Sequence, residues 1–201
     1  ANGFLGVEGI HVYVLYPKGK VSEIQEKQFT TLGQNITALE VDGTFDDCQA
    51  LVKAAFMDKE LNVHMQLTSA NSINVARFLP QAFYYFYAYA QLKKAGKVDN
   101  VVVCVPSGNF GNITAGLFGK RMGLPVKRFI AANNRNDIFY QYLQTGVYSP
   151  RPSVATIANA MDVGAPSNFA RVLDLYGNSH AAICADISGA TYTDEQIRET
   201  V

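Results

Sequence analysis

Short β-branched and aromatic runs alternate with helical patterns along this chain of 201 residues. Residues 11–16 and 36–41 have the strand pattern, and a helical pattern at residues 22–32 separates them. A second helical pattern follows Thr44, which is placed to cap it. Strands joined by single helices of this length pair in parallel through right-handed crossovers. The alternation therefore predicts an α/β fold with open, three-layer parallel-sheet domains.

The pattern changes near residue 60, where we predict a domain boundary. Because 60 residues are too few for a complete doubly wound domain, residues 1–60 are assigned to part of a smaller α/β domain. Residues 61–201 are assigned to part of a larger one. Its predicted strands are residues 63–67, 101–105 and 126–131, and its predicted helices are residues 75–95, 113–122, 137–143 and 169–176.

Two segments of the larger part are apolar enough to predict burial. The helix at residues 75–95 carries Phe and Tyr on nearly every face, so we expect it between layers or in a subunit interface of an oligomer, with an aromatic cofactor box as the alternative. The continuously apolar residues 101–105 favour a strand in the middle of a parallel sheet. Cys104 is then expected to be a small buried hydrophobe.

Composition excludes several classes of function. Hydrophobic residues make up 48% of the chain, which excludes intrinsic disorder. Seventeen basic and seventeen acidic side chains cancel, which disfavours a nucleic-acid or membrane-surface binder. The three cysteines lie far apart and suggest neither disulfides nor a metal site. With no signal peptide and no apolar run near twenty residues, we predict a cytoplasmic protein.

The segment that follows the predicted strand at residues 101–105 has the composition of an anion-binding turn. Backbone N–H groups in a Gly-containing turn can converge on one anion, and the helix that follows adds the positive end of its dipole. No charged residue lies between Pro106 and Gly119, so the anion would be held by dipoles alone. The candidate binding residues are Ser107, Gly108, Asn109, Phe110, Gly111 and Asn112.

The same segment lacks the features of two common nucleotide sites. A Walker loop needs Lys-Ser/Thr after its last glycine, whereas Asn112 follows here. A dinucleotide fingerprint needs a third glycine and an acidic residue about twenty positions on, and both are missing. A terminal phosphate on a small molecule therefore remains as the ligand, and a plain Gly/Asn connection remains as the alternative.

Two further polar segments join predicted strands to helices. In residues 69–77, Ser72 and Asn74 offer neutral hydrogen-bonding groups and Arg77 a guanidinium fork that suits a carboxylate or a phosphate. A hydrogen-bonded helix cap with a solvated arginine explains this segment equally simply. Residues 133–137 also follow a strand end, where open α/β sheets place ligands, although Asn136 or Asp137 could serve as a helix cap.

Four stretches together resemble the threonine synthase family, in its bacterial and fungal branch. They are VPSGNFGNITAGL at residues 105–117, GLPVKRFIAANNRND at residues 123–137, NSINVARFLPQ at residues 71–81 and AMDVGAPSNFAR at residues 160–171. The resemblance implies a pyridoxal-phosphate lyase of fold type II, built like the tryptophan synthase β chain. Such enzymes convert O-phospho-L-homoserine and water into L-threonine and phosphate, a step of threonine biosynthesis.

The resemblance assigns residues 107–112 to the cofactor's phosphate. Ser72, Asn74 and Arg77 are then candidates for the phosphate or carboxylate of the substrate, chosen from their chemistry more than from the motif. None of the ten lysines has the context of the family's Schiff-base lysine, which is expected upstream of Ala1, so no catalytic residue is assigned in this chain.

Three hypotheses follow from the sequence. The first is a threonine synthase segment that is inactive by itself. The second is a segment of another fold type II enzyme, such as a serine/threonine dehydratase or a β-replacing synthase. The third is a noncatalytic α/β domain that binds phosphate with the same loop.

Overall fold

A computed structural model describes all residues from Ala1 to Val201. The chain divides into two compact units, Ala1–Leu67 and Thr68–Val201. This division lies a few residues after the boundary predicted near residue 60. Both units are α/β with parallel strands, as the alternation of patterns predicts.

The first unit is built around a pair of parallel strands, β1 (Val12–Pro17) and β2 (Ile36–Val41), in register from Val12 opposite Ile36. The connecting helix α1 (Glu23–Thr30) begins at a capping box in which Ser22 and Gln25 bond each other's backbone. Helix α2 (Phe45–Met57) begins at a second capping box, made by Thr44 and Asp47. The elements predicted for residues 11–57 are therefore confirmed to within a few residues.

The predicted strand at residues 63–67 is wrong. Helix α3 (Lys59–His64) occupies the start of this segment, and residues 65–70 have no regular structure. Asp58 begins the helix, because its carboxylate accepts a hydrogen bond of 3.0 Å from the backbone of Leu61. The cap at Asp58 thus starts a helix in a segment whose alternating apolar residues predict a strand.

The second unit contains a parallel sheet of β3 (Val102–Pro106), β4 (Arg128–Asn133) and β5 (Ile187–Thr191), in that order. β4 is the central strand, and within this chain β3 pairs only with β4. The expectation that residues 101–105 lie in the middle of the sheet is therefore wrong for this chain. Cys104 is exposed rather than buried for the same reason.

The predicted long helix at residues 75–95 is interrupted. Helix α4 (Val75–Phe78) ends in a 3-10 turn at Leu79–Gln81, and helix α5 (Ala82–Lys94) follows. Pro80 lies in that turn because it cannot donate the backbone bond of a continuous helix. The remaining helices are α6 (Gly111–Arg121), α7 (Ile138–Thr145), α8 (Phe169–Leu175), α9 (His180–Asp186) and α10 (Asp194–Thr200).

The core of the second unit lies between the sheet and helices α6, α7 and α8. Phe129, Phe139 and Phe169 are almost completely buried there, and the ring centres of Phe139 and Phe169 are 5.7 Å apart. Helix α5 buries Tyr85 on one side but leaves Tyr84 about two-thirds exposed on another, so it is not buried on every face in this chain. None of the helices is both long and apolar enough to cross a bilayer.

Candidate functional site

The turn between β3 and α6 presents a row of backbone N–H groups that no protein atom uses. Ser107 still belongs to the sheet edge, because its N–H donates to Ala132 O at 2.8 Å. From Gly108 to Ile113 the N–H groups donate no hydrogen bond within the protein. The first three helical residues lack intrahelical partners by geometry, and the turn before them adds three more. The head of α6 is therefore a donor-rich surface without its own acceptors.

The one positive φ among residues 107–112 lies at Phe110. Its φ of 65° is in the left-handed region, which a non-glycine residue seldom adopts. The side chain is 3% exposed, and its ring centre lies 4.6 Å from that of Phe139 in the core. Packing of this ring compensates for the unfavourable backbone angle, so the core holds the turn in shape.

The two glycines of the turn are needed for close approach rather than for a positive φ. A Cβ on Gly108 would lie 2.8 Å from Met161 Cα, and one on Gly111 would lie 3.1 Å from Ser72 Cβ. Neither glycine has a positive φ. The turn therefore needs glycine at these two positions for space, whereas its left-handed residue is Phe110.

The residues of the turn fit a phosphate group. Buried N–H groups at a helix N-terminus complement a doubly negative oxygen cluster, since the helix dipole adds to their partial charges. No carboxylate lies on the turn to oppose an anion, and no lysine or arginine lies on it either. Ser107, Gly108, Phe110 and Gly111 are buried, whereas Asn112 is exposed. The donor set suits a dianion held without a cation.

The side chain of Asn109 is used to join segments rather than to face a ligand. Its Nδ2 donates to Ser72 Oγ at 2.9 Å, and its Oδ1 accepts from the N–H and the hydroxyl of Ser167 at 2.7 and 3.0 Å. Its backbone carbonyl accepts from Asn168 Nδ2 at 2.9 Å. The backbone N–H of Asn109 and the second N–H of its side-chain amide are then left without an acceptor in the protein.

The structure brings one of the three candidate substrate residues to the turn. Ser72 contacts Asn109 directly, as described. Asn74 caps α4 instead, accepting from Ala76 N at 3.0 Å and donating to Ser69 O at 2.9 Å. Arg77 is exposed and binds Ala70 O through Nε at 2.7 Å. The cap interpretation therefore describes the contacts of Asn74.

The polar residues after β4 hold a neighbouring loop in place. Asp162 accepts hydrogen bonds from the side-chain amides of Asn134 and Asn136 at 2.8 and 3.0 Å and from the Thr156 hydroxyl at 2.7 Å. Its second oxygen accepts from Thr156 N at 2.9 Å. Because Met161 lies against Gly108, this network also supports the wall behind the turn.

The alternative of a side-chain helix cap at the start of α7 is not borne out, although Asp137 is the residue at which the helix begins. Neither Asn136 nor Asp137 caps the helix with its side chain; Asp137 instead pairs with Arg151. Asn133 lies in β4, buried at 3% exposure, and its Nδ2 donates to Ser107 O at 2.7 Å. Asn133 thus contacts the first residue of the turn.

Two ionisable groups next to the turn have shifted pKa values. Burial raises the pKa of the Tyr85 phenol, whose hydroxyl donates to the backbone carbonyl of Asn112 at 3.1 Å and also contacts its side chain. Burial lowers the pKa of the Arg171 guanidinium, which binds the segment around Ser72. Tyr85 therefore stays a neutral hydrogen-bond donor at physiological pH.

Sequence reasoning missed three contact residues as parts of the site, namely Ser167, Asn168 and Arg171. Ser167, Asn168 and Arg171 lie in the PSNFAR stretch, which entered the sequence argument only as a family motif. Their distance along the chain from the turn hides these contacts, and only the tertiary structure brings Ser167 and Asn168 to Asn109 and Arg171 to Ser72.

Comparisons with known proteins identify the family and the fold of the chain. The family model described as "Pyridoxal-phosphate dependent enzyme" matches residues 5–201. Threonine synthase from Haemophilus influenzae is 51% identical over all of this chain and 47% of its own length. The crystal structure of threonine synthase from Escherichia coli matches with a TM-score of 0.93 and 49% identity, over 100% of this chain and 46% of that one.

A structure of PLP-bound threonine synthase from Brucella melitensis also matches, with a TM-score of 0.80 and 35% identity over 97% of this chain and 47% of that one. The chain spans about half the length of the curated relatives it matches. The predicted fold type II architecture and the resemblance to threonine synthases are confirmed, and pyridoxal phosphate is the cofactor of the family. The chain therefore belongs to the family of pyridoxal-phosphate dependent enzymes.

Proposed function

We propose that the intact gene product is a threonine synthase, which converts O-phospho-L-homoserine and water into L-threonine and phosphate. The observation that carries the proposal is the row of unused N–H groups from Gly108 to Ile113 at the head of α6, on a turn with no charged side chain. Its support from relatives is the similarity of the whole chain to threonine synthases.

In this proposal the turn binds the phosphate of pyridoxal 5′-phosphate. When bound, this cofactor supplies an electron sink that stabilises negative charge on the carbon atoms of the substrate. The N–H groups of residues 108–112 hold the phosphate oxygens, and the hydroxyl of Ser107 stays with Val105 O at 2.8 Å. The chain thus contributes the anchor that fixes where the cofactor lies.

The substrate's anionic groups are assigned to Ser72 and Arg77. The Ser72 hydroxyl donates to Asn71 Oδ1 at 3.2 Å, which is long for an O–H donor and easily exchanged for a charged oxygen. The two terminal nitrogens of Arg77 donate to no protein atom, so they form a free fork for a phosphate or a carboxylate. Asn74 caps α4, the helix that carries Arg77.

A substrate comparison on the intact gene product tests the reaction. With pyridoxal phosphate added, we expect phosphate release from O-phospho-L-homoserine together with formation of L-threonine. Ammonia release from L-serine or L-threonine without phosphate release would instead indicate a dehydratase. Absence of both reactions, with phosphate still bound by the turn, would favour a noncatalytic anion-binding domain.

The role of Arg77 is tested with a matched arginine. Arg128 also binds a backbone carbonyl, that of Ala185 at 3.0 Å, but it lies at the start of β4. We expect Arg77→Gln to raise KM for O-phospho-L-homoserine about tenfold with little change in cofactor affinity, because a substrate contact is lost. Arg128→Gln is expected to leave KM unchanged. Equal changes of KM in the two variants would show that Arg77 does not bind the substrate.

O-phospho-L-homoserine, as the small-molecule substrate, is part of the same proposal as the reaction. The cytoplasmic location and an oligomeric state of the protein stay predictions from the sequence.

A further inference from the structure

The peptide groups of the turn are oriented by side chains from distant parts of the chain. In a trans peptide the carbonyl and the next N–H point in opposite directions. Asn133 Nδ2 holds Ser107 O at 2.7 Å, so the Gly108 N–H points away from Asn133. Asn168 Nδ2 holds Asn109 O at 2.9 Å, so the Phe110 N–H points away from Asn168. Two asparagine amides thus direct two of the free donors.

Asn168 can do this only in one of its two amide orientations. A side-chain amide has a donor end and an acceptor end, and rotating it by half a turn exchanges them. Arg171 contacts Asn168 Oδ1 through its NH1 group. Because a guanidinium has donors and no acceptor, it permits only the oxygen of Asn168 to face it. The nitrogen of Asn168 is then forced toward Asn109 O.

Arg171, which lies in α8, also joins this helix to the segment that carries Ser72. Its NH1 and NH2 groups donate to Ser72 O at 3.2 Å and to Ile73 O at 2.6 Å. The guanidinium lies over the ring of Phe78, 5.0 Å from its centre. Ser72 in turn binds Asn109, so the contacts form a closed ring. We call Ser72, Asn109, Ser167, Asn168 and Arg171 the Asn109 ring.

The acceptors around Arg171 are all neutral. Its hydrogen-bond partners are two backbone carbonyls and one amide oxygen, and no carboxylate lies within ion-pair distance. Arg171 is half-buried, and the desolvation of its charge without a counter-charge is a cost to stability. Its fork geometry, however, is the feature that can hold three acceptors on two segments together.

We propose that Arg171 is a positioning residue of the cofactor site, which locks the Asn168 amide and so aims the Phe110 N–H at the phosphate. The inference rests on the proposed function, because it takes the phosphate group to bind at residues 108–112. It concerns the geometry of the donors and not contact between Arg171 and the ligand. Loss of the fork is therefore expected to matter even where the positive charge is kept.

Binding of pyridoxine 5′-phosphate tests the proposal without turnover, since this probe lacks the aldehyde and needs no lysine. We expect Arg171→Gln and Arg171→Lys each to weaken its binding about tenfold, because one N–H to a charged group is misdirected. Binding of pyridoxine, which lacks the phosphate, serves as the reference. Arg121→Gln is the matched control, because Arg121 also binds a carbonyl and lies 4.8 Å from the centre of a Tyr176 ring.

Hydrogen exchange separates positioning from a general loss of stability. The Ser167 N–H donates to Asn109 Oδ1 inside the ring, whereas the Leu124 N–H donates to Gly119 O at 3.0 Å outside it. We expect Arg171→Gln to accelerate exchange at Ser167 and to leave Leu124 unchanged. Equal acceleration at both sites, or unchanged affinity for pyridoxine 5′-phosphate, would overturn the proposal.

Asn168→Asp decides the matter if the arginine variants do not fold. Aspartate keeps the acceptor that faces Arg171 but cannot donate to Asn109 O, so the same loss of phosphate affinity is expected. Wild-type affinity in Asn168→Asp would refute the inference. If the wild type binds no pyridoxine 5′-phosphate while Ser167 exchange still responds, the cofactor role of the turn fails. The proposed function then loses the observation that carries it, and Arg171 has only a structural role.

Discussion

Replacing Gly108 by alanine tests whether the turn after β3 requires close backbone contact. The added Cβ would lie 2.8 Å from Met161 Cα and 3.1 Å from both Met161 C and Met161 O, where ordinary contacts begin at 3.4 Å. These are backbone atoms, and the network around Asp162 holds their segment in place. Because neither side can rotate away, the turn itself must shift.

The expected cost follows from two opposing effects. Overpacking at a site that cannot relax costs about 1–3 kcal/mol. Alanine also lowers the conformational entropy of the unfolded chain, which stabilises the folded protein by about 0.4–1 kcal/mol where alanine can adopt the native φ. This gain applies here, because Gly108 has no positive φ. We therefore expect a net loss of about 1–2 kcal/mol, and each kcal/mol lowers Tm by about 2–4 °C in a protein of this size.

Gly119→Ala is the matched control. Gly119 lies in α6, and a Cβ there would approach the Leu124 and Phe86 side chains only to 3.5 Å, an ordinary contact. Since alanine is a better helix former by about 1 kcal/mol, this variant is expected to be as stable as the wild type or more stable. Thermal unfolding followed by circular dichroism compares the two variants.

Binding of pyridoxine 5′-phosphate supplies the functional measurement for Gly108→Ala. A shifted turn misplaces several N–H donors at once, so we expect at least a tenfold loss of affinity, against no loss in Gly119→Ala. If Gly108→Ala has both the Tm and the affinity of the wild type, the 2.8 Å approach does not constrain the turn. The argument for close packing behind the phosphate group would then fail.

Two further predictions concern residues away from the phosphate-binding turn. Asp162→Ala leaves four donors without their acceptor and should lower stability by about 2–4 kcal/mol in urea unfolding, whereas exposed Asp174→Ala should change it by less than about 0.5 kcal/mol. Burial tends to raise the pKa of Asp186, but hydrogen bonds from Lys120 and Tyr176 outweigh it and lower that pKa. The stabilisation is thus present above pH of about 4 and is lost as pH falls through the lowered pKa, so acid should destabilise the wild type more steeply than Asp186→Asn.

The elements that the sequence predicts well are those with strong local signals. β2 has the predicted bounds, α1 lies within the predicted residues 22–32, and α2 begins at the predicted cap Thr44. Among the elements that sequence analysis missed, β5 depends on a tertiary contact. β5 reads Ile-Ser-Gly-Ala-Thr, a weak strand pattern, and it forms because it pairs with the central strand β4.

The candidate site likewise has some properties that local sequence predicts and others that depend on tertiary contacts. The composition of residues 107–112 indicates an anion-binding turn, because glycine, the helix start and the lack of charge are local properties. The position of the left-handed residue is not local, since the Phe110 ring packs on Phe139 in the core. Local rules assign such an angle to glycine, whereas packing assigns it here to a buried aromatic residue.

The orientation of the donors is the least local property of all. Asn133 and Asn168 hold the carbonyls of Ser107 and Asn109, and they come from the end of β4 and the start of α8. A window of sequence around the turn contains neither of them. A site that binds an anion with dipoles alone cannot rely on a long flexible cation to find its ligand, so its donors must be aimed in advance. The side chains that aim them are therefore as necessary to the site as the N–H groups, and Arg171 is the residue on which the orientation of Asn168 depends.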